Sequence, residues 1–279
     1  MSKYSMSEVG SRKKSSSVVR AVFFVFMLLV LYMPILILAL YSFTDATNIG
    51  AIPSFTLRNY HILFTSEDLR TMIIGTLSLA VGSSVIATIL GTMGAIGAFY
   101  SKDRMRRTIA SMNQIPVVNA DVVTGFSVCV LLVVVLGINK ETYIPLVIGH
   151  VVLSAPFVYL SVLPKLKQMD PSLYEAALDL GATPFRALRQ VVLPQLMSGI
   201  VSGFGLAITL SLDDYFIATY TKPATFNTIS TYVVNATKGS NTTIKTALWA
   251  LSTVIFLIVL LVVIIGNLRT RRRELRREE

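Results

Sequence analysis

Long apolar segments recur along the sequence, and they restrict its possible folds more than any other feature. The first covers residues 18–43 and contains one charged side chain, Arg20. A signal-peptide core spans about 7–15 residues, so this segment is too long to be one. A helix needs about 20 apolar residues to cross a bilayer. Five further segments reach that length: 71–99, 108–137, 143–163, 197–219 and 246–265. The sequence therefore predicts an all-α integral membrane protein with six transmembrane helices.

The basic residues are unevenly distributed between the two sides of the membrane that six spans define. Of the 25 Lys and Arg residues, all but six lie in the two terminal segments, counting Arg20 at the start of the first span, or in the loops after the second and fourth spans. The six on the other side are Arg58, Arg70, Lys140, Lys222, Lys238 and Lys245. Because cytoplasmic loops carry the excess of Lys and Arg, both termini are predicted to be cytoplasmic. This distribution explains the net charge of +10 without nucleic-acid binding.

The composition supports the same organisation. Charged residues make up only 14% of the chain, whereas soluble domains carry about 25%. The Ser-rich basic segment 1–17 is predicted to be a disordered cytoplasmic tail, and residues 268–279 a basic cytoplasmic tail. Residues 18–267 are predicted to form the six-helix membrane domain. The segment 71–99 is rich in Gly, Ala and Ser, which let helices approach closely in lipid, so we expect it to be central.

One polar stretch, residues 170–195, lies between two apolar segments and has the features of a short helix–turn–helix. Asp170-Pro171 and Thr183-Pro184 each combine a capping residue with Pro at the first helical position. Gly181 is expected to end or kink the first helix. The charge distribution places this element in the cytoplasm, where it is predicted to contact a soluble partner.

Motifs for ATP binding and for common hydrolytic chemistry are absent from the sequence. There is no G-x-x-x-x-G-K-[ST] phosphate loop, no H-E-x-x-H and no G-x-S-x-G. The two histidines, His61 and His150, and the one cysteine, Cys129, are too few for a metal site of those residues. We therefore expect no catalytic residues, metal or cofactor in this chain, and any ATP hydrolysis to belong to a partner.

Three acidic residues lie inside predicted spans, where ionisable groups are costly and commonly face a cavity or a partner. Asp121 is about 12 residues, or roughly 18 Å, into the third span, near the bilayer centre. Asp213 and Asp214 lie toward the outer end of the fifth span and, about 100° apart on a helix, do not face the same point. Two interpretations stay open: the acids line a path for a cationic substrate, or they serve as structural caps and ion-pair partners.

Histidine and aromatic residues in the spans also allow two interpretations each. His150 is either a hydrogen-bonded interior histidine or a proton-linked switch. Tyr215, Phe216 and Tyr220 either stack on a cation or form an interfacial aromatic belt. The candidate substrate-pathway residues are thus Asp121, Asp213, Asp214 and Tyr215.

The helix–turn–helix resembles the EAA motif of ABC-importer permeases, E-A-A-x3-G-x9-I-x-L-P. The matching residues are Glu175, Ala176, Ala177, Gly181, Leu193 and Pro194, with Val191 in place of the usual Ile. The resemblance implies a coupling helix that docks on an ATPase subunit. There, Glu175 would provide a polar contact and Gly181 the sharp turn. The small Ala176 and Ala177 would permit close approach.

Over nearly its whole length the chain is similar to the permease subunits of spermidine/putrescine ABC importers, the PotC type. The similarity is carried by Asp121-Val122-Val123, His150, Pro156-Phe157-Val158, the EAA segment and Leu210-Ser211-Leu212-Asp213-Asp214. It implies a type I ABC-importer permease with the MetI-like fold in the bacterial inner (plasma) membrane. It also implies a heterodimer with a second permease, a dimer of ATP-binding subunits that hold ATP-Mg, and an extracytoplasmic polyamine-binding protein.

The acidic residues favour a polyamine substrate, because a flexible multivalent cation interacts well with carboxylates and aromatic faces. Related permeases for iron(III), thiamine or phosphonates share the EAA element, so another solute is the first alternative. An ATPase-independent channel or secondary transporter is the second, and it leaves the EAA element unexplained. An integral membrane enzyme is the third, and the sequence lacks a catalytic constellation for it.

Overall fold

The structure is a computed structural model that describes residues 6–45, 54–170, 172–238 and 246–258, with Leu260, Leu261 and Ile264. The chain divides into two compact units, Met1–Ser66 with Gly239–Glu279, and Glu67–Lys238. The described residues are mostly helical and contain no strand, only an isolated bridge between Thr44 and Phe55. The predicted all-α class is confirmed.

The helices of the described residues are, in chain order, α1 (Met6–Ser42), α2 (Arg58–Thr65), α3 (Glu67–Tyr100), α4 (Asp103–Val118), α5 (Asp121–Cys129), α6 (Ile144–Gln168), α7 (Ser172–Asp179), α8 (Pro184–Ala187), α9 (Leu193–Asp213), α10 (Phe216–Thr221), α11 (Ile229–Lys238) and α12 (Thr246–Ile258). Two π-helical segments accompany them. Val130–Val135 extends α5, and Leu188–Val192 joins α8 to α9.

In the first unit, α1 begins upstream of the predicted span. Residues 6–17 are helical where the sequence predicts a disordered tail. Lys and Arg are good helix formers and no Pro interrupts the segment, so the apolar helix extends into it. At the other end of α1, the Asn59 side chain donates hydrogen bonds to the carbonyls of Ser42 at 2.9 Å and Thr44 at 2.8 Å. These bonds attach α2 to the end of α1.

In the second unit, α3, α6 and α9 pack against one another through small residues. A Cβ atom on Gly91 would lie 2.7 Å from the carbonyl oxygen of Ala155, so only Gly permits this crossing of α3 and α6. A Cβ atom on Gly203 would lie 3.1 Å from Cα of Val158, where α9 meets α6. The segment 71–99, expected to be central, is part of α3 and lies in this core.

The predicted third span is not one straight helix, so the depth estimated for Asp121 from a straight helix is wrong. Helices α4 and α5 are bent by 107° at a break after Val118. Asn119 has an extended backbone (φ −74°, ψ 147°), and its side chain donates to Thr124 Oγ1 at 3.1 Å across the break. Pro116 also lacks the N–H that a continuous helix would use. Asp121 therefore begins α5 and does not lie midway along a straight helix.

The predicted fifth span also ends earlier than expected. Helix α9 stops at Asp213, and a separate short helix, α10, begins at Phe216. Asp214 has an extended backbone (φ −65°, ψ 126°), which breaks the helical path. The cause is local, since the Asp214 side chain accepts hydrogen bonds from the backbone of α10 and so favours a new helix start.

Four helical segments are long and apolar enough to cross a membrane, or five if α4 and α5 form one broken span. The four are Arg20–Ser42, Glu67–Tyr100, Ile144–Gln168 and Pro184–Asp213. α12 is a shorter apolar helix at the start of the predicted sixth span, of which the structure describes only part beyond Ile258. The predicted tail 268–279 lies outside the described residues.

Candidate functional site

The predicted helix–turn–helix is present, and hydrogen bonds define its start. The backbone N–H of Ser172 donates to Asp170 Oδ1 at 3.0 Å, just before α7. That bond, together with one from the Ser172 side chain, holds the pKa of the exposed Asp170 carboxyl below its ordinary value. A charged carboxylate at a helix N-terminus also interacts favourably with the helix dipole.

Gly181 makes the turn between α7 and α8. Its φ angle is +84°, a left-handed conformation in which Gly carries no steric cost. The backbone N–H of Gly181 donates to Leu178 O at 2.9 Å, and that of Ala182 to Ala177 O at 3.0 Å. These two bonds form a Schellman motif, which satisfies the last carbonyls of α7. The structure thus gives Gly181 the sharp-turn geometry that the sequence predicts.

The second half of the element begins at Thr183. Its Oγ1 accepts a hydrogen bond from the Arg186 backbone N–H at 3.4 Å, and Pro184 occupies the first turn of α8. The chain then continues through the π-helical segment into Leu193 and Pro194 of α9. Glu175, Ala176, Gly181 and Pro194 are exposed, whereas Ala177 and Leu193 are partly buried. Whether these residues contact an ATPase stays a prediction.

Sequence reasoning missed two large apolar side chains on this element. Leu180 is 89% exposed and Phe185 is 72% exposed. Leu173 on α7 is also exposed, at 43%, and exposed apolar side chains on one element suit a docking contact. The basic amphipathic pattern of residues 185–192 was the available signal for Phe185. Leu180 had no comparable signal, because its exposure follows from the Gly181 turn.

The second candidate site contains the acidic residues of α5 and of the break between α9 and α10, next to α6. α5 packs closely on α10, since a Cβ atom on Gly125 would lie 2.9 Å from Ile217 Cα. Asp121, at the start of α5, and Asp213, at the end of α9, are exposed. Asp214 is buried, with 8% of the residue exposed. The two adjacent acids thus have different surroundings, because the helix ends between them and not because of their spacing on one helix.

Asp214 is bonded to its own chain. Its Oδ1 accepts from the backbone N–H of Ile217 at 3.1 Å, and its Oδ2 from that of Ala218 at 2.7 Å. Oδ2 also lies 3.7 Å from Nε2 of His150, on α6. The structure therefore brings Asp214 and His150 together and gives Asp214 a capping role, one of the two interpretations considered for it.

Aromatic side chains on α5 and α10 and just before α10 contact one another. Tyr215 is partly buried and makes an edge contact with Phe216, with ring centroids 5.2 Å apart. Phe126 of α5 and Tyr220 of α10 make another, at 5.8 Å. Contact of Tyr215 with a substrate stays a prediction. Among the residues that the structure describes, no group of three or more His, Cys, Asp or Glu side chains is placed to hold a metal ion.

Comparison with known proteins identifies the family. Residues 9–274 match the family described as "Binding-protein-dependent transport system inner membrane component". The spermidine/putrescine transport system permease protein PotC of Escherichia coli (strain K12) is 29% identical over 241 residues, 86% of this chain and 89% of PotC. The putrescine transport system permease protein PotI of the same organism is 32% identical over 195 residues, 68% of this chain and 69% of PotI.

Solved structures share the fold. A bacterial alginate ABC transporter, in complex with an alginate-pentasaccharide-bound periplasmic protein, contains a chain with a TM-score of 0.70 and 17% identity, covering 92% of this chain and 94% of that one. A chain of a bacterial ABC transporter involved in the import of alginate has a TM-score of 0.67 and 19% identity. The match covers 95% of this chain and 99% of that one. The chain has the MetI-like permease fold and belongs to the family of inner-membrane components of binding-protein-dependent transport systems.

Proposed function

We propose that the chain is a permease subunit of an ATP-driven importer that carries spermidine or putrescine across the plasma membrane. The observation that carries this proposal is the similarity to PotC over 86% of the chain. The similarity to PotI points to the same chemical class of substrate. The two alginate transporters share the fold at 17% and 19% identity, which carries no argument about substrate.

The energy comes from a partner in this proposal, because the sequence lacks a phosphate-binding loop. Two ATP-binding subunits would dock against the coupling element, residues 170–195, with Glu175, Leu180 and Phe185 available as contacts on its exposed surface. A second permease would complete the path, and an extracytoplasmic binding protein would deliver the polyamine. ATP-Mg would be held by the partner subunits alone. The excess of Lys and Arg supports cytoplasmic termini and a cytoplasmic coupling element.

Transport would follow alternating access. ATP binding would close the two ATPase subunits, and the coupling elements would move with them as rigid levers. The membrane helices would then rearrange to open the path outward, and hydrolysis would reset it. The Schellman motif at Gly181 and the cap at Thr183 support this role, since they join α7 and α8 through local hydrogen bonds.

Exposed carboxylates support a cationic substrate. Asp121 and Asp213 are both exposed at the ends of helices, and Phe126 and Tyr215 lie in the same region of the sequence, on α5 and just before α10. Carboxylates attract ammonium groups, and aromatic faces add cation–π attraction. Asp214 is already engaged by the backbone of α10, so its oxygens are less available.

Uptake in cells tests the proposal. The chain is expressed with the ATPase, second permease and binding protein that co-purify with it, in a strain without other polyamine uptake. We expect saturable, ATP-dependent uptake of labelled spermidine or putrescine. Labelled ferric iron, thiamine and phosphonate serve as parallel substrates. Uptake of one of these without polyamine uptake would assign another solute, and uptake without the ATPase would assign a channel or secondary transporter.

A further inference from the structure

His150 is buried at the centre of the second unit, and its hydrogen bonding defines its tautomer. No part of the residue is exposed. Nδ1 lies 2.8 Å from the carbonyl oxygen of Leu146, one helical turn earlier. Because a carbonyl oxygen only accepts hydrogen bonds, Nδ1 must carry the hydrogen. The remaining ring nitrogen, Nε2, has no hydrogen-bond partner among the described residues.

Nε2 faces the carboxylate of Asp214. The distance to Oδ2 is 3.7 Å, and the two side chains are 0% and 3% exposed. With Asp214 ionised, a bare lone pair at Nε2 would point at negative charge, which is unfavourable, whereas an Nε2–H would point a positive group at it. Since Nδ1 already carries a hydrogen, an Nε2–H makes His150 an imidazolium. Among the described residues, His150 is the only basic side chain within ion-pair distance of Asp214.

The pair has a direct effect on the chain. The Asp214 oxygens accept from Ile217 and Ala218 and so define where α10 starts. α10 also lies directly on α6 next to His150, because a Cβ atom on Gly149 would be 2.6 Å from Cγ2 of Ile217. A buried carboxylate with only neutral donors is unstable unless a cation compensates it. A charge on His150 would therefore stabilise the Asp214 carboxylate that caps the start of α10.

We propose that His150 is a positioning residue, which compensates the Asp214 carboxylate so that Asp214 holds the start of α10, leaving Asp213 and Asp121 as the carboxylates open to a cationic substrate. This inference rests on the proposed polyamine import for the identity of the substrate, but not for the coupling between His150 and Asp214. The proposal gives the two adjacent acids different roles. Asp213 binds the cationic substrate, and Asp214 holds the start of α10.

A double-variant experiment tests the charge coupling in the full transporter. His150→Asn keeps a donor near the Leu146 carbonyl but removes Nε2, so Asp214 loses its cation. We expect Vmax of uptake to fall about tenfold, with KM changed less than about twofold, because the charge left unpaired is buried. Adding Asp214→Asn removes that charge and keeps one acceptor for α10. We expect it to restore Vmax to within about threefold of wild type.

His61→Asn is the matched control, since His61 is exposed on α2, and it should leave both parameters unchanged. If His150→Asn prevents insertion, the amount of intact complex in detergent is measured instead, with the same expected rescue by Asp214→Asn. A double variant as impaired as His150→Asn alone would overturn the proposal. So would an Asp214→Asn variant whose KM rises as much as that of Asp213→Asn.

The two proposals fail separately. If wild-type protein takes up no polyamine, the proposed substrate is wrong, and the coupling is still measured from the thermal stability of the detergent-purified complex. There, Asp214→Asn should restore stability lost in His150→Asn. If polyamine uptake is normal but rescue is absent, the proposed substrate stands and the positioning role of His150 is wrong.

Discussion

Asp213 and Asp214 are neighbours in the sequence but face different surroundings. The helix ends at Asp213, whose carboxylate is exposed, whereas Asp214 turns inward toward His150 and the backbone of α10. A pair of adjacent acids in an apolar span suggests a binding site. In the structure, Asp214 instead accepts hydrogen bonds at the start of α10, and Asp213 remains exposed.

Asp213→Asn should weaken polyamine binding. The side chain is exposed and has no hydrogen bond or ion pair among the described residues that the change would break, so stability should change by less than about 0.5 kcal/mol. Loss of the charge should raise KM for uptake about five- to tenfold, or roughly 1 kcal/mol. Glu67→Gln is the control, because it removes another exposed carboxylate, which lies 3.8 Å from Arg70 at the start of α3. Equal effects of the two changes would indicate a general surface-charge effect.

At the scale of elements, the coupling segment is held by local interactions. Asp170, Gly181 and Thr183 each satisfy backbone groups at a helix end. Such short-range bonding explains why its helix boundaries follow from the sequence, since capping residues, Pro and Gly act on their immediate neighbours.

Gly181→Val should uncouple ATP hydrolysis from uptake. At a φ of +84° a β-branched residue is strained by roughly 1–2 kcal/mol, although a Cβ atom there would meet nothing within 4 Å. The turn should therefore change its angle while the core stays intact. We expect uptake to fall more than tenfold with the complex still inserted and ATPase activity retained.

Gly137→Val provides the matched control for that change. Gly137 also has a positive φ, +66°, and open space around it, but it lies in the loop between α5 and α6. It should carry a similar backbone strain without uncoupling. Normal uptake in Gly181→Val, or equal uncoupling in both variants, would contradict the lever role of residues 170–195.

Two glycines on α3 should respond differently to substitution by Ala. A Cβ atom on Gly91 would lie 2.7 Å from both Ala155 O and Val158 Cβ, whereas one on Gly82 would meet nothing within 4 Å. Gly91→Ala should destabilise the protein by about 1–3 kcal/mol through overpacking. Gly82→Ala should be neutral or slightly stabilising because Ala is the better helix former. Thermal unfolding in detergent measures both, and equal melting temperatures would contradict the close crossing of α3 and α6.

The sequence predicts the spans and the coupling turn well, but not the two helix breaks. Apolar runs and capping residues are local signals. The break after Val118 depends on the Asn119 bond to Thr124, and the one after Asp213 on an acid that accepts from the next helix. Both Asn119 and Asp214 are residue types that favour helix starts. Their signal was outweighed by the apolar runs around them, and the partner of Asp214, His150, is too distant in sequence to be found this way.

At the scale of the whole molecule, the bend between α4 and α5 decides the topology of the second unit. A helix pair bent by 107° is either a broken span or a re-entrant loop. If the pair crosses, Lys140 lies opposite Lys102, and α6 returns the coupling element to the side of Lys102. If it is re-entrant, Lys140 lies on the side of Lys102, and the coupling element lies opposite. The basic residues of the Lys102 loop and of the coupling element favour the crossing.

Single cysteines measure this directly. In a Cys129→Ser background, which removes the only native thiol, we expect Lys140→Cys to react with a membrane-impermeant maleimide in intact cells. Lys102→Cys should react only after permeabilisation, because the excess of positive charge places its loop in the cytoplasm. Lys102 and Lys140 are both exposed, so labelling depends on the side of the membrane on which each residue lies and not on its burial. Labelling of neither residue in intact cells would make the pair re-entrant. It would also place residues 170–195 outside the cell, where no ATPase reaches them, and would overturn the coupling role together with the topology.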